Sequence, residues 1–389
     1  MKRSSVRTSA ASLSTVVVAV TAVILSATPA FAATWTTVAT PNATSNPNRF
    51  NGVAALSSAS AWAVGSADYA TAPFVRPLAA RWNGSTWSLV ATPAVGDDAT
   101  LVAVDGNTTT NVWAVGSTQS STSSPLTERW NGSTWTVVPS PKPAGAINAN
   151  LNGVKTLSGT EAWAVGDALV SGASPASRTL IMRWDGSSWT IVPSPSPDPW
   201  RNLLVAVDAT ATNDVWAVGN IGDDGYGGTS AGAVLRWNGS AWSRITVPGA
   251  DATFSTIHYA DVVAVSSNDV WVVGSAFHRQ LFREVPYVLH YNGQGWQHGT
   301  ITNAPSGRFN GVTALSATKV YAVGGSFDGD TLVARWDGTS WARESTPSPS
   351  GYDSLAGASA TGTGIVWGVG IQTGSSGTAR TLSIRTTNG

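Results

Sequence analysis

Short apolar runs alternate with clusters of Gly, Ser, Asn, Asp and Pro along almost the whole chain, and one stretch displays the unit. "LNGVKTL" (151–157), "AWAVG" (162–166), "TLIMRW" (179–184) and "WTIVPSP" (189–195) each read as a β-strand. They are too short for helices, rich in β-branched and aromatic residues, and bounded by turn formers. "SGTE" and "DGSS" are the tight turns between them, and "DALVSGASPAS" (167–177) is a longer loop. Asn-Gly or Asp-Gly at such a turn favours a hairpin, because both residues tolerate the positive φ angles of a type I′ turn.

The second of these strands recurs through the chain. It is "AWAVG" at 61–65 and 162–166, "VWAVG" at 112–116 and 215–219, "VWVVG" at 270–274, "VYAVG" at 320–324 and "VWGVG" at 366–370. The aromatic positions Trp62, Trp113, Trp163, Trp216, Trp271, Tyr321 and Trp367 are separated by 51, 50, 53, 55, 50 and 46 residues. Seven copies of a four-stranded unit at this period predict an all-β fold, a seven-bladed β-propeller spanning residues 33–389. Six copies end in a hairpin of the form RWxGxxW or its variant "HYNGQGW" (290–296), but the seventh stops at "LSIRTTNG" (382–389) without a fourth strand. "ATWTTVATP" (33–41) is a fourth strand with nothing before it. The strand around Trp35 is therefore expected to pair with residues around 381–386, closing the ring and covering a sheet edge.

Residues 1–32 stand outside the repeat. Lys2, Arg3 and Arg7 precede the apolar run "LSTVVVAVTAVILSA", and "AFA" (30–32) has the small-x-small form of a cleavage site. A secretory signal peptide is expected, and with it a secreted, extracellular protein. The rival is an uncleaved anchor, against which the run is short of the roughly 20 residues a membrane span needs. Removing the leader takes three of 22 basic residues and none of 22 acidic ones, leaving 19 against 22. That balance argues against nucleic acid or an anionic membrane surface as partner, and no later run is long enough to insert in a membrane. With no cysteine, disulfides and thiolate metal sites are excluded, so the domain must be held together by burial.

Eighteen of the 19 tryptophans fall at three repeat positions, in the second, third and fourth strands. Packing between blades accounts for them, since equivalent positions in a repeat need equivalent side chains. A ring of sugar-stacking sites is the alternative. Arg81, Arg129, Arg183, Arg236 and Arg335, with His290 in the sixth place, carry the same ambiguity, as Arg stacks on tryptophan without any ligand. The sequons at Asn83, Asn131 and Asn238 coincide with hairpin turns and read as turn chemistry.

"KVYAVGGSFDGDTLVARWDGTSWARESTPSP" (319–348), with its glycine pair, aromatic, Asp-Gly and final Trp, resembles a kelch or galactose-oxidase-type blade. The copper chemistry of galactose oxidases uses a cysteine-crosslinked tyrosine, which this chain lacks. "DVWAVG" (214–219) and "RWNGSTWTVVPSP" (129–141) look more like repeat proteins exported by actinobacteria such as Streptomyces. Among those, seven-bladed propellers serve as lectin-like subunits of umbrella toxin particles. The resemblance implies a lectin-like targeting role at a cell surface.

Candidate chemistry is sparse. All four histidines, His258, His278, His290 and His298, lie in the fifth copy without metal-ligand spacing, so no cofactor or metal is expected. Glu128, Glu161, Glu284 and Glu344 fall in different copies, which makes a paired-carboxylate glycosidase hard to assemble, although Asp223, Asp224, Asp251 and Asp353 could meet across the ring. The loops are more informative. Turns after first and third strands are short and uniform, whereas the segments at 66–77, 193–202, 220–232 and 275–286 vary widely and share the opposite face. Variable loops on a rigid scaffold are where recognition resides. They carry Tyr69, Phe74, Arg76, Trp200, Arg201, Tyr226, Phe277, His278 and Phe282, joined by Tyr352. This set is expected to bind a ligand; the alternative is that some of it plugs the central channel. A non-enzymatic binding module for a cell-surface carbohydrate is the first expectation. Docking to another secreted protein subunit is the second, and a polysaccharide hydrolase or lyase the third.

Overall fold

The computed structural model describes Met1 and residues 34–172, 176–222, 230–301 and 303–386. The expected leader, Met1 apart, lies outside them. The described residues between 34 and 386 form seven four-stranded antiparallel sheets arranged as the blades of a propeller, with no helix among them. In the third blade the strands are Ala146–Ser158, Glu161–Val170, Ala176–Trp184 and Trp189–Ile191. The first three outrun the apolar stretches that announce them, because the ladder continues through polar pairs such as Asn148↔Leu169 and Ala168↔Arg178. Most of the expected loop 167–177 is thereby absorbed into strand.

The outer hairpins correct the expected type I′ turn. In the first blade Trp82 and Trp87 are directly opposite, so the loop holds four residues, closed by Asn83 N–H donating to the Thr86 carbonyl at 3.2 Å. Only Gly84 takes a positive φ, of 100°. Asn83 works through its side chain, whose Oδ1 accepts from the Ser85 and Thr86 amides at 2.9 Å each. Asn131 and Asn238 do the same in their own hairpins, which is the turn role read for the sequons.

The invariant glycine of the second strand has an equally local cause. The first strand of the second blade (Asp98–Thr108) carries a bulge between Leu101 and Ala103 that turns the Thr100 carbonyl toward Gly116. A Cβ there would stand 1.9 Å from that oxygen. The same clash, at 1.8 to 2.0 Å, holds at Gly65, Gly166, Gly219, Gly274, Gly324 and Gly370.

Between blades the tryptophans interlock. Trp62 of the first blade inserts between Trp130 and Trp135 of the second, with ring centroids 4.7 and 4.9 Å apart. Trp113 meets Trp184 and Trp189 in the same way, and Trp163 meets Trp237 and Trp242. Sixteen of the eighteen frame tryptophans are buried, and Trp296 and Trp336 are half-buried. The packing reading holds, because buried indoles leave no face on which a sugar could stack. The repeat arginines cover the outer ends of these stacks. Arg129 lies 5.3 Å over Trp113 and 5.6 Å over Trp184, and Arg236 lies 4.4 Å over Trp216. Four of the six are aimed by the residue that opens the second strand: Asn111 for Arg129, Glu161 for Arg183, Asp214 for Arg236 and Asp269 for His290, all at 2.8 Å.

Ring closure follows the expected register, with Trp35↔Thr386, Thr36↔Arg385 and Thr37↔Ile384. Its junction with the sixth blade has chemistry of its own. The Trp35 indole N–H donates to Glu344 Oε2 at 2.6 Å, while Glu344 Oε1 accepts from Arg335 at 2.8 Å.

Candidate functional site

Tight turns such as 57–60 and 83–86 lie on one face, and the second-to-third-strand hairpins and the inter-blade linkers lie on the other. The latter face holds the predicted residues, but they form three separate groups rather than one site. Tyr226 falls outside the described residues, as do Asp223 and Asp224.

The first group belongs to the first blade. Tyr69 N–H donates to the Phe74 carbonyl at 2.7 Å, which closes the 69–74 loop, and the Arg76 guanidinium stacks 4.0 Å over the Tyr69 ring. Beside them a groove of about 650 Å³ opens, walled by Leu78, Leu89, Val90 and Val95.

The second group is Trp200 and Arg201, in the linker between the third and fourth blades. Asp198 Oδ1 accepts from both of their amides, at 2.8 and 2.9 Å, and Asn202 caps the turn from the other side. The backbone is therefore fixed while the Trp200 indole remains 51% exposed. Arg201 acts favourably on the Asp167 carboxylate, although burial outweighs it and leaves that carboxyl above its ordinary value.

The third group spans the fifth to seventh blades. Phe277 and His278 end a strand (Asp269–His278) rather than sitting in a loop, and the loop shrinks to 279–282. Its tip carries Leu281, 52% exposed, and Phe282, 82% exposed with a φ of 50°. Phe277 pairs in register with Glu284, which meets Arg308 at 3.8 Å. Arg308 stacks 5.1 Å over Phe327, and a Cβ on Gly329 in the Phe327 loop would meet Tyr352 at 3.4 Å. A continuous path thus runs from Phe277 through Phe327 to Tyr352, itself 72% exposed. His278 faces inward instead, with Phe254 edge-on at 5.5 Å. Phe327, Leu281 and Arg308 were missed in the sequence. Phe327 was findable, since it stands six residues past Tyr321 as Phe277 stands six past Trp271.

The central channel, about 670 Å³, was not anticipated as a charged site. Asp105, Lys155 and Asp208 occupy one frame position in the second, third and fourth blades, opposite Trp113, Trp163 and Trp216. Lys155 Nζ meets Asp208 at 2.7 Å. Each carboxylate also clamps the next blade: Asp105 accepts from the Thr156 amide at 2.7 Å, Asp208 from Ala264 and Asp261 from Val312 at 2.8 Å. Burial pushes the Asp261 carboxyl up to about 7 and raises Asp105. Burial alone would depress Lys155, but Asp105 and Asp208 outweigh it and hold the ammonium charged. None of the predicted aromatic residues that are described lines this channel, so the plug alternative does not describe those residues.

The glutamates do not meet. Glu161 holds Arg183, Glu284 faces Arg308, Glu344 holds Trp35 and Arg335, and Glu128 is buried with no partner for either oxygen. Asp251 and Asp353 cap their own loops. Among the described residues no three His, Asp or Glu side chains are grouped to hold a metal ion.

No family model matches the chain, and no curated protein matches it by sequence. Solved structures match by fold. YCF48 bound to D1 peptide superposes with a TM-score of 0.57 at 13% identity, covering 93% of this chain and 100% of that one. A protein of unknown function from Dyadobacter fermentans gives 0.51 at 11% identity, covering 90% of this chain and 97% of that one.

Proposed function

We propose that the protein is an exported, non-catalytic binding module whose recognition surface is the aromatic path on the loop face of the fifth to seventh blades. The observation that carries this is Phe282. A phenylalanine in the left-handed backbone region is unfavourable, and nothing repays it by burial, because the ring stands almost wholly in solvent. Strain of this kind, held on a rigid scaffold next to Leu281 and on the same loop face as Phe327 and Tyr352, suits a side chain kept ready for a partner.

The first ligand class is a cell-surface glycan or glycopolymer, with the Phe and Tyr rings as stacking platforms and Arg308 among them. The resemblance to exported actinobacterial repeat proteins extends that reading to the targeting subunit of a secreted toxin particle. Docking to another secreted protein is the second reading, and Leu281 and Phe282 favour it because neither offers the hydrogen bonds a sugar requires. Phe282→Gly and Tyr352→Ala test the surface. Glycine should relieve the strain and raise the melting temperature slightly, while both variants should lose about tenfold or more in binding to the best glycan-array hit. Glycan binding that survives both substitutions would overturn the assignment. A silent array, with a defined secreted partner lost in both variants, would replace the glycan by the protein reading.

A further inference from the structure

The repeat contains its own controls for the groove beside Tyr69. Five residues before the end of each third strand, and again at the start of each linker, the blades differ at matching positions. In the third, sixth and seventh blades the strand position is Thr179, Thr331 or Thr381. Its amide donates to a side chain in the linker, Ser196 at 3.0 Å, Ser348 at 3.3 Å or Asn42 at 3.0 Å. Its hydroxyl donates to the carbonyl of Pro195, Pro347 or Pro41. These bonds sew the linker down. The second blade has Pro125 in place of the threonine, but Lys142 fills the gap and donates to the Ser123 and Ile147 carbonyls at 2.8 Å each. In the first blade both devices are missing. Pro77 supplies neither N–H nor hydroxyl, and the linker position, seven residues past Trp87, is Ala94. The linker is still held by the Thr92 hydroxyl, which donates to the Pro77 carbonyl at 3.2 Å, and the 650 Å³ groove lies along Ala91–Asp97.

The walls define what fits. The exposed strand edge has little to offer an added strand, since the Val75 amide is taken by Asp98 Oδ1 at 3.1 Å and Pro77 has no amide. Leu78, Leu89, Val90 and Val95 present apolar surface instead. Arg76 lines the same groove, fixed by Tyr69 and by the Pro73 carbonyl at 3.2 Å, and no carboxylate is paired with it among the described residues. Asp97 also lines the groove and works against an anion there. We infer that this groove is a ligand site for a small amphipathic carboxylate, its chain against Leu78, Leu89 and Val95 and its head group on Arg76. The volume is within the range of small-molecule sites, and a charge-assisted bond to a pre-stacked guanidinium supplies the selectivity.

Titration calorimetry of the mature chain with decanoate and with decanol tests this. One saturable decanoate site is expected, with decanol weaker by about tenfold, the value of one such contact. Arg76→Met should reduce decanoate to the level of decanol, and Asp97→Asn should tighten decanoate. Ala94→Phe should fill the groove and abolish binding of both. Leu89→Glu, at an exposed position the fold tolerates, should also abolish decanoate binding and covers the case in which Ala94→Phe fails to fold. The inference is overturned if the parent shows no saturable site, if decanol binds as tightly as decanoate, or if Leu89→Glu binds like the parent.

Discussion

Replacing Glu128 by methionine should stabilise the protein, and by an amount that depends on pH. Glu128 is 0% exposed, and neither carboxylate oxygen has a hydrogen-bond partner. It shares a face of its strand with Leu126 and Trp130, which pack with Trp62 and Trp135 in the core between the first and second blades. Burial pushes its carboxyl from the ordinary 4.5 up to about 8. Between those values the folded protein keeps a proton that the unfolded chain has released, so stability falls as pH rises, by about 1.4 kcal/mol per unit. The accumulated loss is about 3 kcal/mol at pH 7 and levels off near 5 kcal/mol above pH 8. The same frame position holds Met182 in the third blade, Leu235 in the fourth and Leu289 in the fifth, all buried, so the site accepts a large apolar side chain. Urea denaturation of parent and Glu128→Met at pH 5, 7 and 9 should show a gap widening from about 1 to about 5 kcal/mol. A gap that stays constant across that range would refute the reasoning. It would mean that the carboxylate is ionised in the fold.

Other outcomes follow from the ring and its repeat. Trp35→Phe keeps the closing strand but removes the indole donor to Glu344, so thermal melts should show a loss of about 1.5–3 kcal/mol, whereas Trp35→Ala adds a cavity and should lose more. Gly116→Ala drives a Cβ into the Thr100 carbonyl and should destabilise by more than about 4 kcal/mol or block folding, while Gly249→Ala, with open space around it, should stay within about 0.5 kcal/mol of the parent. Trp189→Ala empties part of an inter-blade stack and should lose about 3–5 kcal/mol, but Trp200→Ala should shift stability by less than about 0.5 kcal/mol. N-terminal sequencing of protein recovered from culture medium should begin at Ala33, and a chain beginning at Met1 would remove the export proposal.

The sequence by itself determined the blade, the number of blades and the closure of the ring. Each of these is a local or periodic property. Alternation along a strand, glycine at a bulge and aromatic residues at a fixed spacing are repeated until they stand out, and the unpaired strand at Trp35 matched the one gap in the pattern. The acid or amide that opens the second strand and aims Arg129, Arg183, Arg236 or His290 was also there to be read, at Asn111, Glu161, Asp214 and Asp269. Only the tertiary structure decided which exceptions to the repeat matter, because an exception acquires meaning from what another blade or linker places beside it. Asp105, Lys155 and Asp208 look unrelated at 50-residue intervals and become one charged cluster only when first strands converge on an axis. Pro77 and Ala94 are each unremarked substitutions, yet both line a groove at the position where a lysine or a threonine binds the linker in the second, third, sixth and seventh blades. The ten candidate residues were chosen for lying on one face, which connectivity fixes. The division of the nine described ones among three groups depends on loop lengths and side-chain packing around the ring, which no periodicity encodes.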